Sequence, residues 1–403
     1  MNQNIQNPNN YSKWLEFVIL LLFLLGPLTG NIINVLFGVL SSYFQVTPDN
    51  LLIAIPAFMF PFAITQLFSG AISDIKGRIP VLIVGLILFG IAMLTAALSF
   101  NLEMYVIANA IGGIGFGFIN PVLIALLTDF TTPKNMPKKL GYLSASANLG
   151  VGLGPWIASY MILIGWQSIY ILFIIITCIC LIYFVSIRKI PQKISKDSEI
   201  STFLKEISIE WRRSVVILMI LSAFLIAHTY IAINIWTSKT LTPLIDERII
   251  GVILLLAGVG AAIASILTGY LSKRKGVKIP LTIGLLILFC SIVILLSIGN
   301  ITNPEIFIFL ALGWILTGFS GGILFTTITY YSQVLSPERR GALAGLLTAG
   351  YFIGIALVPS TLAPFSNAFG INGVYVTILI VIIIFSIITI LLYILAKRIT
   401  THQ

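Results

Sequence analysis

Charge is the scarcest commodity in this 403-residue chain: Asp, Glu, Lys and Arg make up 9% of it, where a soluble domain carries about 25%. With 58% hydrophobic residues beside so few charges, an ordinary water-soluble domain is excluded. Cysteine and histidine are nearly absent as well, at 3 and 2 residues. Cys178 and Cys180 stand about 200° apart around a helix and share no metal-binding face, so with Cys290 they read as buried small apolar residues. No catalytic metal and no cofactor is expected. The phosphate-loop pattern G-x4-G-K-[ST] is missing, which removes ATP as an obvious driver. Gly113-Ile-Gly115-Phe-Gly117 has the wrong spacing and no preceding strand for a dinucleotide fingerprint, and reads as close helix packing. Without a nucleophile or acid–base constellation, the chain is not expected to be an enzyme.

What fills the chain instead is long apolar runs. A membrane-crossing helix needs roughly 20 apolar residues. Charge-free runs at 17–48, 50–73, 79–102, 104–128, 214–238, 249–272, 279–304 and 306–337 each hold one. Two longer runs, 140–187 and 341–396, hold two each, divided near Gly165-Trp166-Gln167-Ser168 and between Pro364 and Asn372. The sum is an all-α membrane protein with twelve spans. An even number puts both termini on one side, and the cytoplasm is that side, because 21 of the 23 basic residues then lie inside and only Lys239 and Arg248 outside. The net charge of +10 is thus an orientation signal, and nucleic acid is not an expected partner. Residues 1–10 read as a short disordered tail, and the first run as a retained helix.

The polar segment from Arg188 to Arg213 divides the chain into a six-helix bundle at 1–187, a cytoplasmic linker at 188–213 and a second bundle at 214–403. Phe203, Ile207 and Trp211 suit a surface amphipathic helix, and a solvated linker is the equal alternative. The halves repeat each other. SGAISDIKGR, from Ser69, aligns with TGYLSKRKGV, setting Gly70 on Gly269 and Gly77 on Gly276, while Gly141, Gly150 and Gly154 fall on Gly341, Gly350 and Gly354.

Twelve spans, a six-plus-six repeat, a long middle loop and G-x-x-x-D-x-x-G-R between spans 2 and 3 resemble the major facilitator superfamily. The series Gly141, Gly150, Gly154, Pro155 is similar to the signature of its drug:proton antiporters, with Ala158 and Ser159 in place of two further glycines. The resemblance implies a helix-packing seal there. It also implies a gating loop made by Gly70, Asp74, Gly77 and Arg78, with Asp129 holding Arg78 and Asp74 facing the start of helix 11. The arginine of the family's helix-4 pattern is replaced by Asn109, ahead of Gly113 and Gly115. His228 is the one ionisable residue in mid-span, a candidate for proton coupling or a packing residue between helices.

In the family, helices 1, 4, 7 and 10 line a central cavity. That places Asn31, Asn34, Asn109, Asn120, Tyr230, Asn234, Thr317, Ser320 and Thr327 as a polar, uncharged lining, with Tyr331 on the same face of helix 10. Such a lining suits a neutral or amphipathic solute. The reading is an efflux transporter of the plasma membrane, surrounded by lipid, working as a monomer by alternating access, with proton exchange as one form of coupling. A proton-independent facilitator or importer is the alternative, and a non-transporting membrane sensor a third.

Overall fold

The computed structural model describes residues 13–132, 136–188, 200–298, 306–335 and 339–401. The polar tail lies outside them, as do the side chains of Phe203, Lys273 and Arg340. Among the described residues every regular element is helical. The first span is broken into α1 (Lys13–Asn31) and α2 (Ile33–Phe44); the Asn31 side-chain amide takes the Pro27 carbonyl at 2.6 Å just before the break. A single turn, α3 (Pro48–Leu51), leads to α4 (Ala54–Lys76), α5 (Arg78–Ala97), α6 (Leu102–Asp129), α7 (Met136–Met161) and α8 (Gln167–Ser186). The linker carries α9 (Ile200–Trp211).

In the second half, α10 (Ser214–Ile226) and α11 (Ala232–Leu241) form one span joined by a π-helical stretch, Ala227–Ile231. α12 (Glu247–Lys275), α13 (Lys278–Ser297), α14 (Ile306–Val334) and α15 (Arg340–Thr401) follow. Eleven helices among the described residues are long and apolar enough to cross a bilayer, and the last holds two spans, because Gly370 at φ 62° bends it. The break falls inside the turn-rich stretch picked out by sequence, as does Gly165 at φ 118° between α7 and α8.

Each half packs the same way. α6 lies between α4 and α5, as α14 lies between α12 and α13, and α7 packs on α1 as α15 packs on α10. Across the halves, α7 meets α12 and α4 meets α15, where Phe62 and Phe352 pack with ring centroids 4.3 Å apart. Small residues permit these approaches. A methyl at Gly113 would lie 2.1 Å from the Phe58 carbonyl oxygen, and one at Gly318 would lie 2.4 Å from that of Ala257. Burial corrects one expectation: Cys180 is buried, but Cys178 and Cys290 are exposed on the outer faces of α8 and α13.

Candidate functional site

The charged loop between α4 and α5 is organised by one arginine. Gly77, at φ 93°, ends α4 and lets the chain turn directly into α5. Arg78 then folds back over the turn: its Nη2 meets Asp74 Oδ1 at 2.5 Å, its Nε donates to Asp129 Oδ2 at 3.1 Å and its Nη1 donates to Ser73 Oγ at 2.6 Å. Three acceptors around a guanidinium that is only 11% exposed make a firm clamp between the end of α6 and the loop. Asp74 is thus engaged within its own loop, and among the described residues its partner is not on α15. Gly70 and Gly141 have open space around them, since a methyl at either would meet nothing within 4 Å.

The glycines of α7 divide by face. Gly150 and Gly154 press on α1, where added methyls would lie 2.4 Å and 2.3 Å from the Leu24 and Leu28 carbonyl oxygens. Gly152 presses instead on α12 across the halves, near Leu254 and Gly258, and a methyl at Gly251 would sit 3.2 Å from the Pro155 carbonyl oxygen. Asn148 Nδ2 donates to Ser265 Oγ at 3.0 Å along the same seam. Gly152, Gly251 and Gly258 escaped the sequence reading, although the spacing of seven on α12 is a readable signal.

On the far side of the membrane from Arg78 the two halves are shut together. Lys239 of α11 pairs with Asp49 of α3 and lies 4.5 Å from the Trp236 ring centre, while Gly38 of α2 faces Thr242 and Glu247. On the Arg78 side, a methyl at Gly70, Gly141, Gly269 or Gly341 would touch nothing within 4 Å. A second ionic cluster there was not anticipated. Glu210 of α9, its side chain 1% exposed, accepts from Arg213 at 2.6 Å and from Arg339 at 3.1 Å, and Arg213 also donates to the Leu335 carbonyl at 3.1 Å. The spacing of Glu210 and Arg213 at i, i+3 is its only trace in sequence.

The polar residues assigned to the cavity go several ways. Asn34 is buried on α2 with its Oδ1 unpaired, and Asn120 is half-buried on α6. Asn109 is half-buried and donates to the Tyr105 carbonyl at 2.8 Å. Asn234 accepts from Trp314 Nε1 at 2.6 Å, leaving its Nδ2 unpaired beside the unpaired Tyr230 hydroxyl. Tyr230 packs on Gly321 of α14, and Ser320 and Tyr331 carry unpaired hydroxyls in full burial. Thr317 departs from the expectation: its hydroxyl lies 2.5 Å from that of Ser291 on α13, so it joins two helices within the second half. Thr327 binds the Ile323 carbonyl of its own helix at 2.8 Å. His228 sits in the π-helical stretch, its Nε2 3.1 Å from the Thr361 hydroxyl and its ring stacked on Phe224 at 4.7 Å. Among the described residues no three His, Cys, Asp or Glu side chains gather as metal ligands.

Comparison with known proteins fits this architecture. The chain is 30% identical over 132 residues to the quinolone resistance protein NorA of Staphylococcus aureus, covering 32% of this chain and 34% of that one. It is 36% identical over 104 residues to multidrug resistance protein 1 of Bacillus subtilis, covering 25% and 27%, and 27% identical over 182 residues to the MFS-type transporter YvkA of the same organism, covering 45% and 40%. The alignments thus span less than half the length of these relatives. The crystal structure of the nucleoside transporter NupG superimposes with a TM-score of 0.72 over 95% of this chain and 99% of that one, at 13% identity, which speaks to fold alone. The sequence model of the Major Facilitator Superfamily matches residues 19–244 and 239–402, and the chain is a multi-pass membrane protein belonging to that family.

Proposed function

We propose that this transporter exports small neutral or amphipathic solutes from the cytoplasm by alternating access. The observation that carries the reading is the chemistry of the interior: amide, indole and hydroxyl groups are buried there with unpaired hydrogen-bonding atoms, and among the described residues no carboxylate lies in mid-span. A permanent cation would find no counter-charge in such a site, whereas a neutral solute supplies the missing hydrogen bonds. The names of the multidrug- and quinolone-resistance relatives support export as the direction. With 21 of 23 basic residues on the Arg78 side, that side is cytoplasmic, and the arrangement described here is closed to the outside.

A proton-independent facilitator is the second reading, favoured by the same lack of a buried carboxylate. His228 is the residue proposed to carry a proton if one is coupled. The test is uptake of a neutral amphipathic dye into inside-out vesicles, with and without an imposed pH gradient. Gradient-driven accumulation that His228→Gln abolishes, with exchange at equal pH retained, supports coupled export. Equilibration indifferent to the gradient establishes the facilitator, and no uptake under either condition refutes both.

A further inference from the structure

The linker helix supplies the second half with a clamp that the repeat does not. Gly113 and Gly117 press on the Phe58 and Phe62 carbonyls as Gly318 and Gly322 press on those of Ala257 and Ala261, which sets α6 on α14 with a displacement of 205. On that register the place of Asp129, which holds Arg78, falls to the apolar Val334. Beside it the Leu335 carbonyl is held by Arg213, and Arg213 by Glu210 of α9.

Glu210 joins the starts of two helices. Arg213 is the N-cap residue of α10, and Arg339 opens α15, its carbonyl accepting the Leu343 N–H at 3.1 Å. A carboxylate beside two helix N-termini and two guanidinium groups is stabilised by all four. With its side chain 1% exposed, it gives up nearly all its water to stay there. Ile207, three residues before it and on the same side of α9, is half-buried against the core, whereas Trp211 is 54% exposed. Both arginines belong to the second half, so α9 is carried by that half. Yet α9 packs on α4 of the first half as well as on α10 and α15. It therefore lies across the cytoplasmic ends of α4 and α15, where Gly70 and Gly341 have open space around them.

We infer that α9 is a wedge between the halves, pinned by Glu210, that holds the protein in the arrangement closed to the outside. The inference rests on the alternating-access reading, in which the halves come together on the cytoplasmic side as they part on the other. Closing that side moves the end of α4 towards the start of α15, and α9 stands in the way. To let it close, α9 must slide out, with Ile207 losing its packing and Glu210 releasing Arg339. Glu210 is thus a positioning residue: it touches no solute and acts by setting how often the cytoplasmic side closes. A charged pin suits a reversible release, because the two arginines, each one-third exposed, regain water as the carboxylate withdraws.

The test measures distances between paired spin labels in the full-length chain, held in lipid nanodiscs with its three cysteines changed to alanine. Labels at Ser42 and Leu244 report across the outer side, and labels at Lys76 and Lys278 across the cytoplasmic side; all four positions are exposed. Glu210→Gln is expected to raise the fraction with the outer pair far apart and the cytoplasmic pair close by about threefold or more. Glu210→Asp, which keeps the charge, should stay near the unmodified distribution. Ile207→Ala leaves the ionic pin intact and should shift the distribution the same way by a smaller factor; it decides the matter if Glu210→Gln does not fold. Unchanged distances in a folded Glu210→Gln, whatever its thermal midpoint, overturn the wedge. So does a shift towards a wider cytoplasmic side, which would make α9 a tie between the halves. Shifted distances without vesicle uptake of the dye would remove the export reading and leave the wedge standing; uptake with unchanged distances would do the reverse.

Discussion

The two halves keep the same hinges and replace the charges around them. Gly77 and Gly276 both sit at positive φ, 93° and 72°, at the same turn between the second and third helix of each half, and Gly165 and Gly370 repeat the arrangement between the fifth and sixth. Around the first hinge, Arg78 ties the loop to Asp129 at the end of α6. Its counterpart in the second half is Val277, and the place of Asp129 is taken by Val334. Yet the end of α14 is clamped all the same, by Arg213 arriving from the linker to hold the Leu335 carbonyl, with Glu210 and Arg339 behind it. Duplication preserved what backbone geometry demands, because only glycine tolerates these turns at no steric cost. Electrostatic clamps are less constrained, since a cation can reach the same helix end from another element.

Breaking the conserved part of this comparison has the largest expected effect. Gly154→Ala and Gly354→Ala each drive a methyl against a carbonyl oxygen, at 2.3 Å from Leu28 and 2.6 Å from Phe224. Overpacking of this kind costs roughly 1–3 kcal/mol, and both variants should lower the thermal midpoint in detergent and reduce transport. Gly141→Ala and Gly341→Ala, with nothing within 4 Å, should be neutral. If Gly141→Ala is the damaging member of the set, the division of α7 and α15 into tight and open portions is wrong.

The unequal clamps come next. Glu210→Gln strips the anion from between Arg213 and Arg339; removing one partner of a buried pair costs about 3–5 kcal/mol, reduced to about 1–2 here because both arginines are one-third exposed. Proteolysis of the linker should accelerate. Asp129→Asn leaves Arg78 its contact with Asp74 and should cost less than about 1 kcal/mol. A larger loss in Asp129→Asn than in Glu210→Gln would reverse the assignment of the stronger clamp to the second half.

Asp74→Asn is smaller in stability and sharper in function. The basic count is unchanged, so topology should survive. If Asp74 leaves Arg78 for the start of α15 when the transporter opens outward, a contact worth about 0.3–2 kcal/mol is lost, transport falls several-fold and a cysteine on the cytoplasmic side of the cavity labels faster. Unchanged transport and labelling would leave Asp74 only its contact with Arg78.

Legibility followed the kind of force involved. The spans, the breaks near Gly165 and Gly370 and the six-plus-six repeat were visible in the sequence, since hydrophobic length and glycine spacing are local properties of the chain. What was invisible depends on which helix a side chain meets. Thr317 shares a face with Ser320 within α14, yet finds Ser291 on α13. Tyr105 and Tyr170 are 65 positions apart and meet only because α6 and α8 both pack on α5. A helical wheel gives a direction, and the neighbour in that direction comes from the packing.

The smallest effect is expected at a charged pair on the Lys239 side that joins no second helix, Asp246 with Arg248. Arg248 Nη2 lies 2.5 Å from Asp246 Oδ2, and the Asp246 carboxylate also accepts from the Arg248 backbone N–H at 2.8 Å, as the N-cap of α12. The side-chain hydrogen bond from Arg248, followed by that backbone bond, holds the Asp246 pKa down to about 2. A depressed carboxylate stabilises the fold above its unfolded pKa of about 3.9, and that stabilisation is lost as pH falls towards 2. Both side chains are open to water, at 47% and 39% exposure, so the contribution is largely screened. Asp246→Asn should therefore leave transport between pH 6 and pH 8 within about twofold of the unmodified protein, since the group is fully ionised throughout that range. Any pH dependence there belongs to another group, such as His228. A steep loss in Asp246→Asn at neutral pH would mean that the outer end of α12 takes part in the transport cycle, and that the clamps on the Arg78 side are only half of the gating electrostatics.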